Sequence, residues 1–318
     1  MHVAILGAGA LGRVYGTRLA CETAERVSFV LRSGHAHGGA YRLQRVDDAS
    51  QEHVLGDPVQ VDAVPRDADA VLVCVRAEQL GEVLEATRPA HRAVIVTLTP
   101  LMPEDRAALR ADLGDRLVVG MPGVVAYFSP DGHVRYWLPH VAATLIEERI
   151  APAHEAIVSE LARALDASGV PTKREQHVHE TNAATTIVFM PLGMGVAAAG
   201  GVEPLLADDA LLDTAIAATK EAVRVAERIG RAPHWAERLV QFVGPNTLKV
   251  GVGIARQTHA EAVRYVDQHF GTKLDLQSAV MGAKLAKLAE HEGLEHAAID
   301  ALVARMAARR AGDRGRPS

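Results

Sequence analysis

The chain has 318 residues, of which 48% are hydrophobic and 23% charged, with a formal net charge of −5. That length accommodates two domains with separate cores, and the composition is ordinary for a soluble globular protein. The mild acidity excludes the basic surface that nucleic acid or an anionic membrane would require, so a small-molecule substrate is the expected partner.

In chain order, residues 2–6 (HVAIL) read as a buried strand, followed by a glycine turn and a helix over 10–20. With a strand starting at position 2 there is no room for a secretory leader, and a cytoplasmic location is expected. A second strand covers 27–32 and runs into a glycine- and histidine-rich loop. Further strands at 70–76, 93–98 and 117–119 alternate with helices over 78–87 and 103–112. This alternation predicts an α/β Rossmann domain, a doubly wound parallel sheet with helices on both faces. From 122 to 147, the turn residues Ser129, Pro130, Asp131 and Gly132 interrupt β-rich runs. An antiparallel hairpin or meander closing the sheet's edge is expected there. A helix over 152–167 stops at Gly169, and the first domain is taken as 1–170.

The rest reads as an all-helical domain over 171–310, with a disordered tail over 311–318. Helices are expected at 183–202, 208–229, 234–243, 255–269, 275–291 and 294–309. Asp208, Asp209 and Asp275 suit N-cap or first-turn positions. The segment 183–202 carries no charge and is long enough to span a bilayer. Pro191, several glycines and the lack of flanking basic residues favour a buried core helix instead. The helices also offer surface for a homodimer contact.

Gly7-Ala8-Gly9-Ala10-Leu11-Gly12 forms a G-x-G-x-x-G directly between the first strand and first helix. That context turns a weak motif into a specific one. Gly7 permits the tight turn, Gly9 admits a pyrophosphate, and Gly12 lets the helix pack on the strand. The backbone of Gly9, Ala10 and Leu11 supplies free N–H groups at a helix N-terminus. The second strand ends in Arg32, where an NAD site would carry an acid, and Ser33 follows as a further donor. A guanidinium there suits the 2′-phosphate of NADPH.

The opening MHVAILGAGALGRVYGTRLA, VSFVLR with its arginine, AVLVCVRAEQL and GHVRYW together resemble the ketopantoate reductase family. The resemblance implies an N-terminal Rossmann domain, a helical C-terminal domain and NADPH. It sets Arg76 at the family's cofactor lysine. Thr99 falls where the family has an asparagine near nicotinamide and substrate. In the helical half the substrate motifs differ. The family's catalytic lysine maps to Asn182, and its N-P-L becomes Met190-Pro191-Leu192. Its substrate-contacting glutamate becomes Lys273, and its carboxylate-binding serine maps near Glu261.

Reduction of a ketone needs a proton donor at the developing alkoxide. Lys273 is a candidate relocated donor, against the plainer reading of an exposed lysine at a helix start. Asn182 either orients a substrate oxygen or caps its helix. Glu261 either disfavours a carboxylate substrate or is a solvated acid. The expected activity is NADPH-dependent reduction of a small ketone or 2-oxo acid other than ketopantoate. The substrate is expected between the domains. Reduction of a C=N bond and a non-catalytic NADPH sensor stand as alternatives.

Cys21 and Cys74 make neither a disulfide framework nor a metal spacing. Among 15 histidines, His177-x-His179 with Glu180 resembles half of a metal site, with no third ligand to complete it, so no metal is expected. His140, His179, His259 and His269 are possible acids, each more simply read as a surface or structural residue.

Overall fold

β1 (His2–Leu6) is buried at every position, as its near-continuous apolar sequence requires. It pairs in parallel with β2 (Arg26–Val30) on one side and β6 (Ala70–Val73) on the other. The computed structural model describes residues 1–31, 38–48, 50–139, 142–148, 150–230, 243–258, 260–268 and 275–314. The chain divides into two units, Met1–His179 and Glu180–Ser318.

The first unit is built on an eight-stranded sheet. Six strands are parallel, in the spatial order β5 (Gln60–Val61), β2, β1, β6, β7 (Val94–Thr97), β8 (Leu117–Met121). Helix α1 (Ala10–Glu22) follows β1, α2 (Leu80–Thr87) follows β6, and α3 (Pro103–Leu113) follows β7. The strand order therefore reverses between β1 and β6, which is the position where open α/β sheets bind ligands. The doubly wound sheet expected from the sequence is present. Its far edge is antiparallel, with β11 (Thr144–Glu147) on β8.

Three expectations are corrected here. The hairpin of β9 (Val125–Phe128) and β10 (Val134–Trp137) does form, but it does not close the main sheet. It joins β3 (Tyr41–Arg45) and β4 (Glu52–Leu55) in a separate sheet of order β4-β3-β10-β9. The reason lies in burial: Tyr41, Leu43, Val134 and Tyr136 alternate inward and share one core with Val14, Tyr15 and Leu19 of α1. Helix α1 packs on β1 and β2 and also on the small sheet, so every residue from Gly12 to Leu19 is buried. Secondly, the first unit does not end at 170. β12 (Thr172–Glu175) pairs in parallel with β11 and carries the boundary to His179. Thirdly, 311–314 belong to the last helix, described below, while 315–318 lie outside the described residues. Helix α4 (Glu155–Ala167) buries Val158, Leu161 and Leu165 and is terminated by Gly169 at φ +77°.

In the second unit the described helices are α5 (Val178–Ala199), α6 (Val202–Ala207), α7 (Asp209–Ile229), α8 (Pro245–Thr258), α9 (Ala260–Gln268), α10 (Asp275–His291) and α11 (Ala297–Arg314). The helix expected at 255–269 is thus two helices, and the one expected at 234–243 lies outside the described residues. Asp208 caps α7 by accepting from the Leu211 amide at 3.0 Å. The buried Glu221 of α7 accepts from the Ala298 and Ile299 amides at 3.1 and 2.9 Å, capping α11. Helix α5 is long and apolar enough to cross a bilayer, but 72% of its most apolar window is buried within the structure. Gly195 allows that burial, since a Cβ there would lie 2.9 Å from the Ala215 methyl of α7. At its C-terminal end Arg309 of α11 donates to the Ala197 carbonyl, a cation on a helix C-terminus.

Candidate dinucleotide site

The loop between β1 and α1 has the geometry its glycines imply. Gly7 sits at φ +101°, and a Cβ there would meet the Cys74 carbonyl carbon and oxygen at 3.0 Å. Both the left-handed backbone and the close strand neighbour demand glycine. A Cβ on Gly12 would fall 2.0 Å from the Gly7 carbonyl oxygen, so the helix can lie on the strand only without one. Gly9 differs: a Cβ there would meet nothing within 4 Å. Gly9 is the N-cap of α1 and offers no side-chain acceptor. The amides of Ala10, Leu11 and Gly12 open the helix and have no intrahelical partner by α-helix geometry, leaving them for an anion.

A cavity of about 680 Å³ lies over this loop. That is within the range of cofactor pockets. Gly7, Ala8 and Gly9 line it beside Leu31, Cys74 and Arg76, at the carboxyl ends of β1, β2 and β6. Of the candidate cofactor residues, the structure thus brings Gly7, Gly9 and Arg76 to one cavity. The Arg76 guanidinium is half exposed and lies 3.5 Å from Glu78. Its backbone amide is held by the Gln79 side chain at 3.0 Å. Arg32 and Ser33 lie outside the described residues. Thr99 is buried, and its hydroxyl donates to the Val75 carbonyl at 2.7 Å, so it ties the ends of β6 and β7 together. Burial pushes the Cys74 thiol up to about 12, which leaves it un-ionised and non-nucleophilic at neutral pH.

Of the substrate-site candidates, Asn182 is buried on α5, with 2% exposure. Glu261 opens α9 and pairs with Arg264 at 2.9 Å. Lys273 lies outside the described residues, as do His140, His259 and His269. The His177-x-His179 motif has a structural explanation. The buried Glu147 carboxylate accepts from the His177 and His179 amides at 3.1 and 3.0 Å and from His179 Nδ1 at 3.0 Å. The motif therefore starts α5 around a carboxylate cap. Among the described residues no group of three metal-type ligands occurs.

Sequence reasoning missed Arg13, Asp62, Gln79 and Phe128, all of which line the cavity. For Arg13 a signal existed: it is a charge set within an apolar helix beside the glycine loop. Phe128 carried none, because its place depends on the small sheet.

The strand order, the glycine loop at the reversal point and the cavity above it define a Rossmann-type dinucleotide-binding protein. Residues 3–140 match the family model of ketopantoate reductase PanE/ApbA. No curated protein matches the sequence. The fold extends over the whole chain. A 2-dehydropantoate 2-reductase from Geobacter metallireducens superposes with a TM-score of 0.71 at 19% identity, covering 97% of this chain and 100% of that one. A PanE/ApbA family ketopantoate reductase from Ralstonia eutropha gives 0.73 at 20% identity, with 96% and 97% covered. A D-mandelate dehydrogenase in complex with NADH and anilino(oxo)acetate gives 0.67 at 15% identity, with 98% and 99% covered.

Proposed function

We propose that this protein is a cytoplasmic NADPH-dependent reductase that delivers hydride to the carbonyl of a small ketone or 2-oxo acid. The observation that carries this reading is the glycine loop itself. Gly7 and Gly12 are sterically obligatory, Gly9 is open, and all three stand at the strand-order reversal under a cofactor-sized cavity. A bound nicotinamide dinucleotide would supply the hydride. The chain's part is to hold the dinucleotide on the amides of Gly9, Ala10 and Leu11 and to orient the substrate carbonyl.

The preference for NADPH rests on Arg32, with Arg76 on the cavity rim as a second cation. The substrate class rests on the family and on the fold neighbour named for mandelate, a 2-hydroxy acid. Asn182 and Lys273 stand where the resemblance places lysine and glutamate. That exchange favours a substrate other than ketopantoate, with Lys273 as proton donor. Asn182 also supports a second reading. An amide is no acid, and an iminium carbon accepts hydride without one, so C=N reduction fits the same substitution.

The test is dinucleotide oxidation, followed by near-ultraviolet absorbance, with ketopantoate and a panel of 2-oxo acids, each with and without added amines. Turnover with a 2-oxo acid alone supports carbonyl reduction, and turnover only with amine moves the assignment to imine reduction. Tight NADPH binding with no turnover across the panel counts against both and leaves a cofactor-binding sensor. Replacement of Lys273 by Met should lower turnover by at least about 100-fold if it is the donor.

A further inference from the structure

Arg13 stands one residue past the glycine loop, in the first turn of α1, and lines the cavity together with Gly7, Ala8 and Gly9. It is buried, with 9% exposure. Its guanidinium carbon lies 4.2 Å from the centre of the Tyr41 ring and 5.0 Å from that of Phe128. Nε donates to the Ala8 carbonyl at 3.1 Å, within the glycine loop. Among the described residues no carboxylate pairs with it, and the only neighbouring group that favours its charge is Tyr41. Burial holds its pKa below the usual arginine range.

A buried cation without an acid is costly, because the charge leaves water and gains no counter-charge. The two aromatic faces offset part of that cost through their quadrupoles. They also fix the guanidinium in place. Among the described residues, Nε is the one of its five N–H donors that finds a partner, and the two Nη groups keep theirs. A planar fork of such donors matches a phosphate. It is set beside helix-terminal amides that favour the same charge.

We propose that Arg13 is a phosphate-binding residue of this site, its Nη groups contacting a phosphate of the bound dinucleotide. The proposal rests on the dinucleotide reading above. NADH and NADPH share the pyrophosphate, whereas only NADPH carries the 2′-phosphate, so the two sources can be separated.

The experiment is titration of NADPH and of NADH into wild type, Arg13→Lys and Arg13→Gln at several salt concentrations. Lysine keeps the charge, while glutamine keeps a neutral donor for the Ala8 carbonyl. The glutamine variant should bind both dinucleotides roughly 10- to 100-fold more weakly, with a shallower salt dependence, and lysine should recover part of the loss. A loss confined to NADPH assigns the contact to the 2′-phosphate. Unchanged affinity and salt dependence in Arg13→Gln would overturn the proposal while leaving the dinucleotide reading intact. A wild-type protein that binds neither dinucleotide would overturn both. A crystal structure of wild type with NADPH decides without a variant. An Nη-to-phosphate oxygen separation of about 3 Å supports the assignment, and a guanidinium turned away from every phosphate rejects it.

Discussion

Arg13 and Arg18 lie on the same helix and are buried to nearly the same extent, yet their surroundings differ. Arg18 is used up by the protein. Its Nε donates to the Ser168 carbonyl at 2.7 Å, where α4 ends, and its Nη1 bonds His53 Nε2. His53 in turn faces Glu22 at 3.0 Å. The backbone beside it is shaped for this brace, since a Cβ on Gly169 would lie 2.0 Å from Arg18 Nη2. Among the described residues Arg13 makes one such bond, and it lies against two aromatic rings and the cavity. The difference teaches that burial of a charge is not informative by itself. A cation whose donors are consumed is a structural tie, and one whose donors are left over marks where an external anion belongs.

The comparison can be broken first at the brace. Arg18→Met should cost about 2 to 4 kcal/mol in urea unfolding, because the Ser168 carbonyl and His53 lose a buried partner. Dinucleotide affinity should stay within about twofold. A comparable loss of affinity would mean the two arginines do not have separate tasks.

The glycines sharpen the same contrast. Gly12→Ala forces a methyl against the Gly7 carbonyl and should destabilise by about 1 to 3 kcal/mol while weakening dinucleotide binding. Gly9→Ala places its methyl in open space. Its stability should change by no more than about 0.5 kcal/mol, yet binding should fall by roughly tenfold, because the methyl occupies the approach of the pyrophosphate. Thermal unfolding of the free proteins together with cofactor titration checks both, and a stable Gly9→Ala with unaltered affinity would contradict the placement of the ligand.

The smallest effect is on pH. Burial first, and Arg18 beside it second, lower the His53 pKa below its ordinary value. The unfolded chain then binds a proton that the folded one resists, so stability is present above the unfolded value of about 6.5 and is lost as pH falls through it. His2 is lowered too, by burial and then by Arg26, and adds to the same slope. Midpoints of thermal unfolding recorded from neutral pH downward should decline, and His53→Gln should flatten the decline. An unaltered slope in that variant would remove His53 from the brace.

How far the sequence could be read follows from the range of each interaction. The first strand, the glycine loop, the start of α1 and the cap of α7 at Asp208 were all legible. Each depends on backbone geometry within a few neighbouring residues, and glycine or aspartate at that point has a direct conformational cause. The small sheet was not. β3 pairs with β10, with Leu43 opposite Val134, and no local periodicity announces a partner that distant. The same held for β12, whose polar sequence TKRE resembles a loop until it finds β11. Asn182 was reachable only by resemblance, since nothing in its spacing distinguishes it from other polar residues on a helix.

By itself, then, the sequence determined the strand, turn and helix that make a dinucleotide loop, because the steric demands at Gly7, Gly9 and Gly12 are local and few residues satisfy them. Tertiary structure alone decided that Arg13 faces the cavity and Arg18 faces α4. Tyr41, Phe128 and Ser168 reach α1 from elements far along the chain, and only their packing sets which of two similar arginines is left with donors to spare.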